Sequence, residues 1–219
     1  MPLRYVLFDL DETLYPRHAG VMQQISALMT QYIVERLGLT EEGAHALRRR
    51  YWEQYGTTLA GLRANYRIDP QEFLAYVHNL PVEEYLIPNG ELDAALGRIP
   101  LVKVVFTNAS REHAQRVLDV LGIAHHFARI FDIADVDYAC KPNPQAYRRI
   151  LELLDARAGE CILVEDSTRN LAPAKALGMV TVLVDGEKDA SADFAIRNIV
   201  QIGDVVARLL AASGADKVH

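Results

Sequence analysis

The 219-residue sequence lacks several features that mark specialised classes of protein. Its two cysteines, Cys140 and Cys161, are too few for a disulfide framework, and they form no Cys-x-x-Cys pair. No run of about 18 apolar residues occurs, so we expect no membrane span. Basic residues are outnumbered, with 23 Lys and Arg against 29 Asp and Glu. The resulting net charge of −6 argues against a nucleic acid or an anionic membrane as the partner.

The first residues also lack the charged segment and apolar segment that together make a signal peptide. Residues 1–4 lead directly into a short apolar run. Together with the scarcity of cysteine, this predicts a cytoplasmic location.

What the sequence does contain is a series of short apolar runs separated by helical patterns. The runs cover residues 4–8, 101–106, 161–164 and 180–184, with shorter ones at 130–132 and 192–196. Such continuous runs are typical of parallel strands that are buried on both faces. Helical patterns cover residues 110–121, 144–154, 171–177 and 203–212. The alternation predicts an α/β fold with a doubly wound, mostly parallel, Rossmann-like sheet.

One long stretch interrupts this alternation, because residues 15–97 show only helical patterns. Its helices are predicted from an apolar stripe over 21–37 that Gly38 ends, from the cap residues Thr40 and Asp69, and from a pattern near 91–96. We therefore predict an α/β core made of residues 1–14 and 98–219. A helical cap, residues 15–97, is inserted between the first two core strands.

Polar residues follow the predicted strands at the points where they end. Asp9 and Asp11 follow the first strand, Thr107-Asn108 the second, and Glu165-Asp166 the third buried run, while Lys141 lies in a proline-containing loop. Paired carboxylates can hold a divalent cation and supply a nucleophile, hydroxyl and amide groups can hold an anion, and a lysine can balance crowded negative charge. Any one of these groups could be a helix cap or a surface residue. Ligands of open α/β sheets bind at the carboxyl ends of strands, so the shared position favours one site.

Taken together, these residues resemble the four motifs of the haloacid dehalogenase superfamily of phosphatases. The matching segments are Asp9-x-Asp11-x-Thr13, Thr107-Asn108, Lys141-Pro142 and Glu165-Asp166. The helical insert resembles that superfamily's C1-type cap. Residues 8–16, 55–59 and 165–171 resemble its pyrimidine 5′-nucleotidase-like branch. Glu12 departs from the pattern, since many relatives carry Asp or a small residue there.

This resemblance implies a Mg²⁺-dependent phosphatase and assigns the site residues. Asp9 is the expected nucleophile, and Asp11 is the expected general acid and base. The expected Mg²⁺ ligands are Asp9, the backbone carbonyl of Asp11, and Asp166, with Glu165 as a further ligand or a partner behind them. The expected phosphate-binding residues are Thr107, Asn108 and Lys141, and Lys141 also screens the charge of Asp9.

The substrate implied is a small phosphorylated metabolite, a pyrimidine nucleoside 5′-monophosphate. In the insert, Tyr55-Gly56-Thr57 breaks the helical pattern, and we expect Tyr55 and Thr57 to help close the substrate site. The segment could equally be a plain connection in which Thr58 caps the next helix.

Other functions remain open at this stage. A sugar-phosphate phosphatase or phosphomutase of the same superfamily is the main alternative. Asp11 argues against a dehalogenase, since those relatives lack the second Asp. The large insert and the chain length argue against a phospho-acceptor receiver domain, and the complete motifs argue against a silent binding protein.

Two further clusters are expected to be unrelated to the site. Successive residues of a helix point about 100° apart, so Arg48-Arg49-Arg50 is predicted to be a solvated helix surface. The pair His125-His126 has no accompanying ligand set in the sequence and is predicted to lie in a loop.

Overall fold

The computed structural model describes the backbone of residues 2–215 and the side chains of residues 2–212. Within these residues a six-stranded sheet has the order β3-β2-β1-β4-β5-β6, and all neighbouring strands are parallel. The strands are β1 (Tyr5–Phe8), β2 (Val102–Phe106), β3 (Phe127–Phe131), β4 (Cys161–Glu165), β5 (Val180–Val184) and β6 (Phe194–Ile196). The predicted doubly wound α/β fold is confirmed.

The position of each strand in the sheet explains how clearly its sequence showed it. The central strand β4 is buried along its whole length and reads as an unbroken apolar run. The edge strand β3 exposes Ala128 and Arg129, so it begins before the predicted run at 130–132. The other edge strand, β6, begins at Phe194 rather than at residue 192.

Five α-helices lie between β1 and β2. They are α1 (Val21–Leu37), α2 (Glu41–Tyr55), α3 (Thr58–Asn65), α4 (Pro70–Val77) and α5 (Gly90–Gly97). Gly38 ends α1 in the left-handed conformation, and the Thr40 side chain caps α2 by accepting from the amide of Gly43. These ends agree with the prediction, whereas α3 was anticipated only in the alternative reading in which Thr58 caps a helix. Below, residues 15–97 are called the helical insert.

Four more helices pack against the faces of the sheet. They are α6 (Arg111–Leu121), α7 (Pro144–Leu154), α8 (Thr168–Leu177) and α9 (Ile202–Ala215). The first of them, α6, follows β2 directly, so its N-terminal turn lies at the carboxyl end of that strand. In the same way, the N-terminal turn of α8 lies close to the end of β4.

The helical insert shares an apolar cluster with one face of the sheet. The cluster includes Val6 and Phe8 of β1 together with Ile25, Tyr32 and Phe73 of the insert. The opposite face of the sheet has its own cluster, around Leu7, Phe106 and Tyr147. Among the described residues, every helix is too short or too polar to cross a bilayer.

Candidate active site

The carboxyl ends of β1, β2 and β4 meet the helical insert around a cavity of about 880 Å³. The core strands contribute one wall and the insert contributes the other. The predicted site residues that line it are Asp9, Asp11, Gly56, Thr57, Thr107, Asn108, Lys141, Glu165 and Asp166. The structure thus brings together residues that are up to 157 positions apart in the sequence, from Asp9 to Asp166.

Lys141 lies at the base of this cavity, and its side chain is almost completely buried. Its Nζ donates to Asp9 Oδ1 at 2.7 Å, to Glu165 Oε1 at 3.0 Å and to the Phe106 carbonyl at 2.9 Å. Burial by itself would lower the pKa of this ammonium, but the charges of Asp9 and Glu165 raise the pKa well above its usual value. Lys141 is therefore a fixed positive charge beside Asp9.

Asp9 directly follows β1 and has both carboxylate oxygens engaged. Oδ1 accepts from Lys141, and Oδ2 accepts from Thr13 Oγ1 at 2.9 Å. Burial, followed by the negative charge of Glu165, raises the pKa of Asp9 to about 7. These contacts fix the carboxylate in one orientation at the base of the cavity. An additional cation nearby would favour its ionised form.

The acidic residues around Asp9 fit a hard divalent cation. Carboxylate oxygens of Asp9, Glu165 and Asp166 all lie within 4.8 Å of one another. Burial and the charge of Asp9 also raise the pKa of Asp166. Together with Glu12 these make four carboxylates against the side chains of Lys141 and Arg17, which leaves an excess of negative charge, and oxygen ligands are those that Mg²⁺ prefers.

Glu165 fits the role of a partner behind this cluster better than that of a ligand. Its Oε1 accepts from Lys141 and, at 2.5 Å, from Asn170 Nδ2. Its Oε2 accepts from the amide of Ser167 at 2.9 Å. The side chain of Glu165 is fully buried, whereas those of Asp9 and Asp166 retain some exposure, so Glu165 orients Lys141 from behind the cluster.

Arg17 is a neighbour of this cluster that sequence reasoning missed. Its Nε donates to Glu12 Oε2 at 2.9 Å, and its Nη2 donates to Asp166 Oδ2 at 3.1 Å. Glu12 has φ 63°, a left-handed conformation that is uncommon outside glycine. The turn after Asp11 therefore brings Arg17 back over the acidic cluster.

The residues after β2 hold this part of the site together. Thr107 is buried, and its Oγ1 accepts from the amide of Ala109 at 3.0 Å. The Asn108 side chain clamps the backbone of Lys141, accepting from its amide at 2.8 Å and donating to its carbonyl at 3.0 Å. Ser110 rather than Asn108 caps α6. Asn108 thus positions the Lys141 loop as well as lining the cavity.

Asp11, the second carboxylate of the first motif, is held separately from Asp9. Its Oδ1 accepts from Tyr15 Oη at 2.6 Å and pairs with His113 Nε2 at 3.0 Å. Burial opposes ionisation of Asp11, but His113 and Tyr15 outweigh it and hold the pKa of this carboxyl below its usual value. The ring of His113 stacks on that of His78, with centroids 4.4 Å apart.

Neither histidine was identified from the sequence. His113 lies one turn before Val117 on the apolar face of α6, and a histidine at such a position is typical of a residue packed in the core. His78 ends α4, and nothing in the pattern pairs it with α6. Burial, followed by the nearby charge of His113, lowers the pKa of His78 to about 3. His78 is therefore neutral at physiological pH.

The segment from Tyr55 to Thr57 approaches the core where the insert meets the Lys141 loop. Gly56 has φ 89°, and a Cβ there would lie 2.8 Å from Pro142 Cδ, so only glycine fits without a shift. Thr57 caps α3 by accepting from the amide of Ala60 at 3.1 Å, so the expectation of a Thr58 cap is off by one residue.

The structure places Tyr55 outside the cavity wall, against the prediction. Its ring packs edge-on against Tyr51, and its hydroxyl accepts from Asn65 Nδ2 at 3.1 Å. The reason is helical geometry, because Tyr55 is the last residue of α2 and faces α3 rather than the core. Of the segment, Gly56 and Thr57 line the cavity.

The prediction that Arg48-Arg49-Arg50 is a solvated surface is wrong for Arg48. Its guanidinium donates to Thr30 Oγ1 at 2.7 Å and to Ser26 Oγ at 2.6 Å, and it lines the cavity together with Arg49. Burial lowers the pKa of Arg48, and its Nε is buried without a hydrogen-bond partner among the described residues. The packing of α2 on α1 turns this side chain inward.

The His125-His126 pair lies in a short 3-10 turn away from the cavity. Both Nε2 atoms approach Asp93 Oδ1, at 3.1 Å for His125 and 2.8 Å for His126. Asp93, on α5, is a partner that the sequence did not suggest, and the predicted position of the pair outside the regular helices and strands is confirmed.

Comparisons with known proteins find similar sequences and a similar fold. A curated relative, phosphate metabolism protein 8 of Saccharomyces cerevisiae, is 27% identical over 198 residues, which cover 83% of this chain. The chain spans 62% of the length of that yeast protein. Phosphoglycolate phosphatase of Rhodospirillum rubrum is 28% identical over 192 residues, covering 82% of this chain and 78% of the relative.

Solved structures agree in fold. A HAD phosphatase from Thermococcus onnurineus, 19% identical, superposes with a TM-score of 0.60 over 93% of this chain and 98% of its own. The model of the haloacid dehalogenase-like hydrolases matches residues 3–178, which contain every site residue described above. The chain therefore belongs to the haloacid dehalogenase-like hydrolase family.

Proposed function

We propose that the protein is a Mg²⁺-dependent phosphatase that hydrolyses a small phosphate monoester through a phosphorylated Asp9. We further propose that the helical insert acts as a C1-type cap on a core of residues 1–14 and 98–219. The observation that carries the proposal is the pair of separately held carboxylates in one cavity. Asp9 is fixed by Lys141 and Thr13, and Asp11 is fixed by Tyr15 and His113.

In the first step, a carboxylate oxygen of Asp9 attacks the phosphorus atom, and the bond from phosphorus to the ester oxygen breaks. Asp11 gives a proton to the departing oxygen, so the alcohol leaves neutral. Because the pKa of Asp11 is held below its usual value, this step draws on the minor, protonated form of the carboxyl group. Lys141 balances the charge of Asp9 as the anion approaches, and Thr107 with the amides at the start of α6 lies where phosphate oxygens would bind.

In the second step, water attacks the phosphorus atom and loses a proton to Asp11. The bond between phosphorus and Asp9 breaks, inorganic phosphate leaves, and both carboxyl groups return to their starting states. The net reaction consumes one water and forms one alcohol and one phosphate.

Asp9, the backbone carbonyl of Asp11, and Asp166 would hold the Mg²⁺. When bound, the ion neutralises charge between the carboxylates and the phosphate. Glu165 supports the cluster indirectly, because its oxygens orient Lys141 and accept from Asn170 and Ser167.

For the leaving group, we propose a nucleoside, with pyrimidine 5′-monophosphates as the substrate class. The insert wall of the cavity includes the apolar side chains of Ile25, Phe73 and Val77, which suit the flat face of a base. The motif resemblance around residues 8–16 and 55–59 supports the same class.

A second candidate, a phosphatase for a sugar bisphosphate or a small phosphorylated acid, is favoured by Arg48. This guanidinium faces the cavity with only neutral hydroxyls and a thioether as described partners. A carboxylate or second phosphate on the leaving group would complement its charge. The Rhodospirillum rubrum relative is named for phosphoglycolate, an ester of that kind.

Release of inorganic phosphate from a matched panel, with Mg²⁺ present, tests both candidates. The panel contains pyrimidine and purine nucleoside 5′-monophosphates, hexose phosphates and phosphoglycolate. We expect the highest kcat/KM on a pyrimidine nucleotide. If kcat/KM is highest on a sugar phosphate or on phosphoglycolate, that substrate class replaces the nucleotide proposal. If no ester releases phosphate, the proposal of a phosphatase is contradicted.

A further inference from the structure

The strongest unexplained feature near the site is the pair of stacked histidines, one from each side of the cavity. His113 lies on α6 of the core, and His78 ends α4 of the helical insert. Their rings are nearly parallel, with an interplanar angle of 16°. His113 is fully buried and His78 is 6% exposed. A buried, stacked pair of this kind links the insert to the proposed acid and base, Asp11.

The contact between His113 and Asp11 determines how the carboxyl group is used. Both hydrogen bonds to Asp11, from Tyr15 and from His113, end on Oδ1. Oδ2 has no hydrogen-bond partner among the described residues. An oxygen that already accepts two hydrogen bonds is a poor place for a proton, so a proton on Asp11 sits on Oδ2. The two donors thereby select which oxygen carries the proton that the leaving group receives.

The geometry also fixes the ring of His113. Its Nε2 donates to Asp11, and its Nδ1 is buried without a hydrogen-bond partner among the described residues. Among the described residues, the hydrogen bond to Asp11 is therefore the only polar contact of the His113 ring, and it holds the ring by one edge. The face of the ring is held by His78, which lies flat on it.

Ser110 and Arg116 hold His78 in this position. Ser110 Oγ lies 3.1 Å from His78 Nδ1 and also accepts from the amide of His113. Since the hydroxyl accepts from that amide, its own proton is available to Nδ1 of His78. Arg116 donates to the backbone carbonyls of His78 and Leu80. The helix that carries His113 thus also anchors this segment of the insert.

We propose that His113 is a positioning residue for Asp11, and that His78 of the insert keeps His113 in place by covering its ring. Docking of the insert on α6 would then complete the acid and base as well as close the cavity. This inference rests on the role proposed above for Asp11.

The test is the dependence of kcat/KM on the leaving group. Aryl phosphates with strongly acidic phenols, such as 2,4-dinitrophenyl phosphate, need little proton donation. Phenyl phosphate, whose leaving group resembles a tyrosine side chain with a pKa of about 10, needs it most. Substitution of a residue that only supports the fold should lower kcat/KM on both esters by the same factor.

For His113→Leu, we expect kcat/KM on phenyl phosphate to fall about 10- to 100-fold, a part of the roughly 10²- to 10⁴-fold that general acid catalysis supplies. The loss on 2,4-dinitrophenyl phosphate should be only about threefold or less, since little proton donation is needed there. His113→Gln keeps an N–H donor and should recover most of the loss. Tyr15→Phe removes the other donor with almost no change in volume and should show the same selectivity.

His126→Leu is the matched control. His126 also pairs with an aspartate, Asp93, through Nε2 at 2.8 Å, but it lies outside the cavity. We expect no change in leaving-group dependence for this variant. The Tyr15→Phe variant keeps the proposal testable even if His113→Leu does not fold.

His78 is tested by two substitutions in the same assay. His78→Phe retains a flat ring over His113, so kcat/KM should depend on the leaving group much as in the wild type. His78→Ala should show the same selective loss on phenyl phosphate as His113→Leu. Identical behaviour of the two His78 variants would contradict the covering role.

Equal losses on both esters for His113→Leu and for Tyr15→Phe would overturn the positioning role, even with an active wild-type enzyme. A wild-type protein that hydrolyses neither ester would instead contradict the proposed phosphatase itself. The two failures are therefore distinguishable.

Discussion

The two walls of the cavity differ in charge and in how completely their polar groups are paired. On the core wall, Asp9, Lys141 and Glu165 engage one another, and the hydroxyl of Thr13 and the amide of Ser167 complete the set. On the insert wall, the described lining residues include no carboxylate. They are apolar, hydroxyl-bearing or basic, and the guanidinium of Arg48 has only neutral partners.

This contrast separates two tasks. A network of paired charges is rigid and suits one reaction, because any shift leaves a buried charge without its partner. A wall of apolar groups with arginines, Arg48 and Arg49, that have no carboxylate partner among the described residues is selective for what enters, because it favours leaving groups that match its shape and charge. We therefore expect changes in the core wall to abolish turnover, and changes in the insert wall to redirect it.

The largest expected effect comes from Asp9→Asn. The amide keeps the shape of the carboxylate but cannot act as the nucleophile, so phosphate release should fall by at least about 10⁴-fold. The raised pKa of Asp9 means that its ionised form costs folding stability above its unfolded pKa of 3.8, and the cost grows as the pH rises to about 7. The metal-free variant should therefore melt no lower than the wild type at pH 7.5.

Phosphate-release assays and thermal melts check this prediction together. Substantial residual turnover would place the nucleophile elsewhere, and a large drop in melting temperature would attribute the loss to misfolding.

Removal of the metal should have the next largest effect. Three clustered carboxylates repel an incoming phosphate, so excess EDTA should abolish activity, and Mg²⁺ should restore it. Mg²⁺ should also raise the melting temperature, since a ligand at 100 times its Kd stabilises the folded state by about 2.7 kcal/mol. Asp166→Ala should lose most of this thermal shift.

Glu12→Gln is a useful comparison for Asp166→Ala, because Glu12 shares Arg17 with Asp166 but is not a proposed ligand. Full activity in excess EDTA, or an unchanged thermal shift in Asp166→Ala, would contradict the assigned metal site.

On the insert wall, Arg48→Met should redirect the enzyme rather than disable it. Hydrogen bonds to charged groups contribute about 1.5–3 kcal/mol, so kcat/KM on an ester with a second acidic group should fall roughly 10- to 150-fold. Esters with neutral leaving groups should lose much less. Arg50→Met is the control, because Arg50 lies over the ring of Tyr51 and does not line the cavity. Equal losses on both kinds of ester would exclude a selective role.

The smallest expected effect concerns Thr57. Its hydroxyl caps α3, so Thr57→Val should lower the free energy of unfolding by about 1 kcal/mol, and Thr57→Ser should retain it. If the hydroxyl also contacts a nucleotide, Thr57→Val raises KM for the nucleotide but not for p-nitrophenyl phosphate. Tyr55→Leu, outside the cavity, should leave both KM values unchanged. A shift in either KM for Tyr55→Leu would contradict the placement of that ring.

The features that the sequence predicts correctly are those that a short local pattern of residues determines. Buried strands such as β4 are continuous apolar runs, and Asp9, Thr107 and Asp166 follow strand ends, so the sheet and the grouping of these residues could be anticipated together. Helix ends marked by Gly38 and Thr40 were equally clear. The helix α3 was anticipated only through the alternative of a cap at Thr58, because its eight residues follow a glycine turn that is also typical of a plain connection.

The parts that could not be predicted depend on packing between distant elements. Arg48 looks solvated in the sequence, and only the packing of α2 on α1 turns it toward Ser26 and Thr30. The pair of His78 and His113 joins residues 35 positions apart in the chain through the docking of the insert on α6. No periodicity within either segment encodes that contact.

The close approach of Gly56 to Pro142 has a mechanical consequence. Arg169 of the core donates to the carbonyls of Trp52 and Glu53, at 2.7 Å and 3.1 Å, so the C-terminal turn of α2 is tied to the core at the same place. With this end fixed, α2 is a lever about 22 Å long, from its 15 residues at 1.5 Å each. A rotation about that fulcrum hardly moves Thr57, displaces Arg48 by an intermediate distance, and moves Glu41 furthest. If the insert rotated in this way, the cavity would widen as a wedge whose apex stays at Lys141.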